Sequence, residues 1–401
     1  MTAALLSGLA TLDDVEIENQ RVLLRADLDV PVSKHGEVLD DFALRRLVPT
    51  LRRLTESGAR VIVASEFGTS RRPDKAPPSI EPAAARLSEL SGLEVHLPEE
   101  CLGDSVKKVV SDLREGQICV LENLALCPED ARADEGFARA LMAYCDVFVN
   151  DALSSCARES ATTTVLPRLL EQRVAGPTLV AELEAVLRVL NPTAPFTLVL
   201  GGSRLTDKID ALQTLLPRCQ HLFVAGVPAN TMVRARGGAM GTSHLEENYL
   251  AGARTLMDQA FGRLVLPEDF VAAASVKAAT GRVVAAGELD PGEAAVDLGP
   301  KSRTALAERV ALAKTVLWWG TVGFHKNPAF AEGTRALVEA LADSSAFTLV
   351  VGDDSVAAAH AVCPDRLGDI DCLAGGGSAT LALLAGKKLP GLEALRGMGH
   401  D

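Results

Sequence analysis

The sequence predicts an α/β protein built as two lobes joined by a helix. Three observations carry that expectation. Short apolar runs alternate with longer amphipathic stretches almost from end to end, the pattern of parallel α/β structure. The apolar runs are continuous in Val, Ile and Leu rather than alternating, which implies strands covered on both faces. With 401 residues, 48% of them hydrophobic, the chain exceeds one ordinary domain and can fill more than one core.

The elements follow in order. Residues 21–30 (RVLLRADLDV) read as a strand, and 42–58 as a helix closed by Gly58. ARVIVASEF is the next strand, and QICVLENLAL, a helix through FARALMAYC, and DVFVNDAL repeat the theme. VAELEAVLRVLNPTAP reads as a helix stopped by Pro192 and gives the best interdomain boundary. A second series follows, with FTLVLGG, HLFVAG, RLVLPEDFV, KTVLWWG and FTLVVGDD as strands, and TDKIDALQTLLP and FAEGTRALVEALADSS as helices.

Composition excludes whole classes of function. Forty Lys and Arg against 53 Asp and Glu give a net charge of −13, a poor match for nucleic acid or an anionic membrane surface. No apolar run approaches the ~20 residues that span a bilayer. The first residues carry no basic leader, so no secretory signal is expected and the cytoplasm is the expected compartment. The eight cysteines are scattered without a Cys-x-x-Cys pair, which speaks for reduced thiols rather than a disulfide framework or a zinc ribbon.

Three strand ends in the second half point to a phosphate-bearing ligand. Gly201-Gly202 ends one strand and is followed by Ser203, Arg204 and a helix containing Lys208. Asp353 and Asp354 end another, with Ser355 opening a helix, and Gly375, Gly376 and Gly377 precede an apolar helical run. Glycine permits close backbone approach, free N–H groups at a helix start attract phosphate, and an aspartate there can reach a magnesium ion. Each turn alone also reads as packing punctuation, Asp354 as a helix cap, and Lys208 as a solvated lysine. Neither a Walker A pattern nor a complete G-x-G-x-x-G is present.

Taken together, the strings resemble one family. R-V-L-L-R-A-D-L-D-V-P (21–31), L-E-N-L (121–124), V-N-D-A (149–152), G-G-S-R-L-T-D-K-I (201–209), D-L-G-P-K (297–301), G-D-D-S-V-A-A (352–358) and A-G-G-G-S-A-T…G-K-K-L-P-G are similar, in order, to phosphoglycerate kinase. The resemblance implies two Rossmann-like parallel-sheet domains joined by a hinge helix, with hinge closure during turnover. It places an acceptor-side domain at 1–176, the helix at 177–193, a nucleotide domain at 194–388, and a tail at 389–401 that returns to the first domain. ATP or ADP with Mg²⁺ are the implied cofactors, and phosphoryl transfer to a carboxylate is the implied reaction.

Carried over residue by residue, the resemblance implies that Lys208, Arg25 and Gly376 are catalytic. Gly201, Gly202, Arg204, Lys208, Gly323, Asp354, Ser355, Gly375, Gly376 and Gly377 would hold the nucleotide, and Asp354 the metal. Arg25, Asp27, Asp29, Glu66 and Arg158 would form the acceptor site. On that side the chain departs from the pattern: Ala43, Thr69 and Ala125 stand where the family has Arg, Glu66 and Ala157 where it has His, Ser160 likewise, and Asp29 where it has Asn. On the nucleotide side Arg204 replaces Lys, Val227 and Val351 replace Gly, and Lys326 replaces the Glu expected on the ribose.

Three readings follow. The first is an ATP-dependent carboxylate kinase whose acceptor is not 3-phosphoglycerate, with Glu66 and Asp29 attracting a neutral or cationic acceptor, extended to a ligase if an amine takes the acyl group. The second is a non-catalytic nucleotide- or partner-binding descendant. The third is a genuine phosphoglycerate kinase with an atypical site, rescued by Arg45, Arg46, Arg71 or Arg72. A monomer without nucleic-acid or membrane partners is expected in each. Trp318-Trp319 reads either as an adenine platform or as core.

Overall fold

A computed structural model describes residues 5–68 and 77–397; Thr69, Arg71 and Arg72 lie outside them. The chain forms two compact units: one runs to Glu184 and resumes at Lys388, and the other is Ala185–Lys387. The helix Pro177–Leu190 carries the chain from one to the other.

The first unit contains strands β1 (Arg21–Arg25), β2 (Arg60–Ala64), β3 (Val95–His96), β4 (Ile118–Val120), β5 (Val147–Asn150) and β6 (Arg173–Ala175). They form one sheet in the order β3-β4-β2-β1-β5-β6, every pair parallel. Val22, Leu24, Val61, Val63, Val147 and Val149 are fully buried, as continuous apolar runs require when both faces are covered. The helix Phe42–Glu56 covers one face through Leu44, Leu47, Leu51 and Leu54, while its arginines point outward or to partners. Gly58, at φ +76°, lets the chain turn back directly into β2. The first expected strand is shorter than its apolar string. After Arg25, the amide of Leu28 donates to Ser65 Oγ and that of Asp29 to Asp27 Oδ1, so side chains replace the ladder there.

The second unit contains β7 (Phe196–Leu200), β8 (His221–Val224), β9 (Ala239–Met240), β10 (Leu264–Val265), β11 (Asp269–Ala273), β12 (Arg282–Ala285), β13 (Glu288–Leu289), β14 (Ala294–Leu298), β15 (Thr315–Trp319), β16 (Phe347–Val351) and β17 (Cys372–Ala374). Its main sheet is parallel in the order β10-β8-β7-β15-β16-β17. A small antiparallel sheet, β12-β11-β14, and a β13-β9 pair complete the unit. The string RLVLPEDFV, expected as one strand, is two: β10 pairs with β8 in the main sheet, and β11 belongs to the antiparallel sheet. Pro267 lies between them and has no N–H to give a ladder.

Each main sheet has one point where its connections reverse direction. From β1 the chain moves to one side through β2, and from β5 to the other through β6; β7 and β15 are related in the same way. The crevice beyond the carboxyl ends at such a point is where open parallel sheets collect ligands. Among the described residues, no helix is long and apolar enough to cross a membrane. All eight cysteines are free thiols.

Candidate active site

At the reversal point of the second unit, the ends of β7 and β15 meet through glycine. The Gly201 amide donates to the Trp319 carbonyl (2.8 Å) and the Gly202 amide to the Thr321 carbonyl (2.7 Å). A Cβ on Gly320, at φ +89°, would lie 2.4 Å from the Gly201 carbonyl carbon, so side chains at this crossing are sterically excluded. The resulting cleft has a volume of about 530 Å³ and is lined by Gly202, Gly226, Phe270, Val296, Val322 and Phe324, among others. A largely apolar hollow of that size suits a small organic ligand such as a nucleoside. Gly323 also lines it, while Lys326 follows two residues beyond Phe324 on an exposed stretch.

Lys208 stands at the edge of this cleft. Its ammonium donates to the Arg204 carbonyl (2.7 Å), lies 5.1 Å over the Trp319 ring, and would be 3.4 Å from a Cβ on Gly202. The side chain is only 7% exposed. Burial pushes its pKa down, and the carboxylates of Asp207, Glu246 and Asp354 act against that push. Glu246 also anchors the turn carrying Lys208, accepting from the Leu205 amide and from Thr206 Oγ1. Trp318 and Trp319 are both buried, so they are core rather than an open platform, and Trp319 additionally seats the lysine.

The other expected nucleotide residues divide by role. Asp354 is exposed in the first turn of the helix Asp353–Val362, and Gly375–Gly377 lead from β17 into the helix Gly377–Leu384. The Ser355 hydroxyl is committed to the fold: it accepts from the Gly320 amide and donates to the Val351 carbonyl, tying β15 to β16. Arg204 is exposed and lies 3.8 Å from Asp207. Among the described residues no group of three or more His, Cys, Asp or Glu side chains could cage a metal. A lone carboxylate such as Asp354, on the helix start beside the Gly375–Gly377 turn, suits Mg²⁺, which keeps water and phosphate oxygens among its ligands.

One cleft residue opens the string D-L-G-P-K but has no site role in the sequence reading. Asp297, at the end of β14, is buried; its Oδ2 accepts from the Gly333 amide, and its Oδ1 has no partner. Burial pushes its pKa up to about 7, so near neutrality it carries a proton much of the time. A Cβ on Gly323 would lie 2.0 Å from Oδ1, which ties the glycine of the cleft wall to this acid.

The reversal point of the first unit is built differently, from polar side chains. Arg25 ends β1, is 4% exposed, and donates to the Ala26 carbonyl through Nη1; its Nε is buried without a partner. Glu66, just after β2, lies 3.9 Å from Arg25 through one carboxylate oxygen and accepts a 2.9 Å bond from Arg158 through the other. Asp27 accepts from Ser154 Oγ and from the Asp29 amide, and Asp29 in turn accepts from the Gly68 amide. Deeper in, Asp130 accepts from the Thr162 amide and its pKa is raised by burial, with the charge of Arg25 opposing. The five expected acceptor residues thus gather at the end of this sheet, but Glu66 faces two arginines, hydrogen-bonded to Arg158 and 3.9 Å from the buried Arg25, rather than being free to attract a cation.

Of the four arginines expected as possible replacements, Arg71 and Arg72 lie outside the described residues, and Arg45 and Arg46 are engaged in ion pairs. Arg45 pairs with Asp41 at 2.7 Å, and Arg46 with the buried Glu182 at 2.7 Å. Ala43 and Ala125 offer no polar group. The pairing of Arg46 with Glu182 could not be read from sequence, since 136 positions separate them and Glu182 sits on an apolar helix.

Comparison with known proteins agrees with this architecture. The family model described as "Phosphoglycerate kinase" matches residues 12–387. The chain belongs to the phosphoglycerate kinase family. It is 38% identical over 397 residues to the phosphoglycerate kinase of Anaeromyxobacter dehalogenans, covering 96% of this chain and 99% of that one. It is 39% identical over 398 residues to that of Salinispora tropica, with the same coverage. Among solved structures, phosphoglycerate kinase from Coxiella burnetii matches with a TM-score of 0.79 and 30% identity, and that from Pyrococcus horikoshii OT3 with 0.85 and 26%, each covering 96% of this chain and 98% of the other. The family is one of phosphotransferases, and the two-domain phosphoglycerate kinase fold accounts for both sheets and their reversal points.

Proposed function

We propose that the protein transfers a phosphoryl group between a nucleotide held by the second unit and the carboxylate of a small acceptor held by the first, and that the acceptor is not 3-phosphoglycerate. The observation that carries this reading is the sharing of Glu66 by Arg25 and Arg158, which leaves the acceptor surface charge-compensated. A triply anionic acceptor needs uncompensated cations, and an arginine on a transferring phosphate is worth about 10³–10⁵ in rate. A carboxylate with an uncharged remainder suits this surface better.

The chain's own residues divide the work. The cleft beside Gly202 and Gly323 would hold the nucleoside, and Lys208 would neutralise the transferred group as charge spreads over its oxygens. Gly375–Gly377 would offer backbone N–H groups to phosphate, with Arg204 at the rim. Mg²⁺, when bound at Asp354, would supply neutralisation of the phosphate charge. Arg25 and Gly376 would steady the group in flight, and Asp27 and Asp29 would frame the acceptor. Hinge movement of the two units, ATP or ADP as the nucleotide, and a monomeric cytoplasmic enzyme belong to the proposal, as does passage of the acyl group to an amine in a ligase variant.

A second reading, genuine phosphoglycerate kinase activity, is favoured by the 38% identity to a phosphoglycerate kinase across 96% of the chain. One assay separates the two: full-length protein with Mg-ATP and either 3-phosphoglycerate or a panel of carboxylates with uncharged side groups, read as ADP release, beside calorimetric binding of Mg-ADP. Release with an uncharged carboxylate but not with 3-phosphoglycerate supports the proposal. Turnover of 3-phosphoglycerate at ordinary enzyme levels supports the second reading, and nucleotide binding without any release leaves a non-catalytic descendant.

A further inference from the structure

We propose that Glu66 is a specificity-determining residue that fills, from within the chain, an anion seat framed by Arg25 and Arg158. The inference rests on the reading of the first unit as the acceptor side and gives that reading a physical cause.

The seat lies where a parallel sheet collects ligands. Arg25 closes β1, Glu66 follows β2 by two residues, and Arg158 lies in the loop after β5; β1 and β5 flank the reversal point. The two guanidinium groups face the same carboxylate, one on each oxygen, as they would face a bound anion. The Arg25 side is not closed by a hydrogen bond, since 3.9 Å is too long for one, and its buried Nε has no acceptor. A buried guanidinium with unused donors is costly unless an anion lies close, and Glu66 is the side chain that provides the charge. Asp130 adds negative potential from below but is already held by the Thr162 amide.

Glu66 is a seat-filler of limited hold. Its own side chain is 23% exposed and that of Arg158 is 74% exposed, so the hydrogen-bonded half of the arrangement is wet. Removing the charge of Glu66 while keeping its shape leaves the two cations facing a neutral amide with no counter-charge. The acceptor side then changes from one that repels a phosphate group to one that takes it.

The test uses full-length protein and inorganic phosphate as the probe, with affinity measured by calorimetry at low ionic strength. Glu66→Gln and Glu66→Ala are each expected to bind phosphate at least about tenfold more tightly than the parent, the scale of one removed like charge near the surface. Adding Arg158→Gln to Glu66→Gln is expected to abolish the gain. Glu159→Gln, which removes an exposed charge next in sequence to Arg158, is expected to leave affinity within about twofold of the parent. Circular dichroism and thermal melting establish that the variants are folded. Folded Glu66 variants no tighter than the parent, or no tighter than Glu159→Gln, overturn the inference. The measurement needs neither nucleotide nor turnover, so it can succeed even if the assay for phosphoryl transfer fails.

Discussion

The two reversal points solve the same topological problem with opposite materials. In the second unit, β7 and β15 end in glycines whose backbones interlock, and the space beyond them stays open as a cleft of about 530 Å³. In the first unit, β1 and β5 end in Arg25 and Asn150-Asp151, and side chains occupy the corresponding position. The difference teaches that one half is preorganised by the absence of Cβ atoms, and the other by pairing of charges. Backbone geometry is insensitive to solution conditions, whereas exposed charge pairing yields to salt and to single substitutions.

The largest effect that would sharpen this contrast is expected at Lys208. Lys208→Met is expected to reduce phosphoryl transfer by about 10³-fold or more while leaving the melting temperature close to the parent, because the charge is needed on the transferring group rather than in the core. An ADP-release assay on the acceptor that gives turnover, paired with a melting curve, decides it.

A stability loss of about 3 kcal/mol or more is expected from Gly320→Ala, since the new Cβ meets the Gly201 backbone and φ is +89°. Denaturant unfolding and loss of Mg-ADP binding together would register it. A neutral result would show that the glycine crossing is not what holds the cleft open.

An effect comparable in size to that of Gly320→Ala is expected from pH. Asp297 has a folded pKa of about 7 against an ordinary value of 3.8, so the folded state binds the extra proton between these limits. The stabilisation is fully present below the unfolded pKa and is lost as pH rises through about 7, amounting to about 4 kcal/mol at most. Asp297→Asn is therefore expected to flatten the fall in stability from acid to neutral pH, and to gain relative to the parent above pH 7. Unfolding curves at several pH values across that window measure it.

The smallest effect is expected in the first unit. Arg158→Ala should change stability by less than about 1 kcal/mol, because the guanidinium it removes is largely solvated. A large loss in a melting experiment would show that charge pairing there is structural, and would weaken the contrast between the two halves.

Much of the fold was legible because continuous apolar runs and glycine punctuation are local signals. β1, β2, β5, β7, β15 and β16 fall within the expected strings. The shortening of β1 and the splitting of RLVLPEDFV were not legible, since Ser65 Oγ and the antiparallel partners come from elsewhere in the chain. Within the candidate site, the motif strings located Lys208, Asp354 and the glycine turns. They could not show that Ser355 is spent on Gly320 and Val351, or that Trp319 seats the lysine.

By itself, then, the amino-acid sequence determined the α/β class, the family, and the presence of Ala43, Glu66 and Ala125 in place of cationic side chains at those positions. These are properties of residue identity and order along the chain. Only the tertiary structure decided what the remaining charges do: Glu66 is shared by Arg25 and Arg158, Arg46 is drawn to Glu182, and burial beside the cleft raises the pKa of Asp297. The physical reason is that electrostatic energy depends on distance and burial. Both are set by strands and loops that lie far apart in sequence and meet only at the carboxyl edge of a sheet.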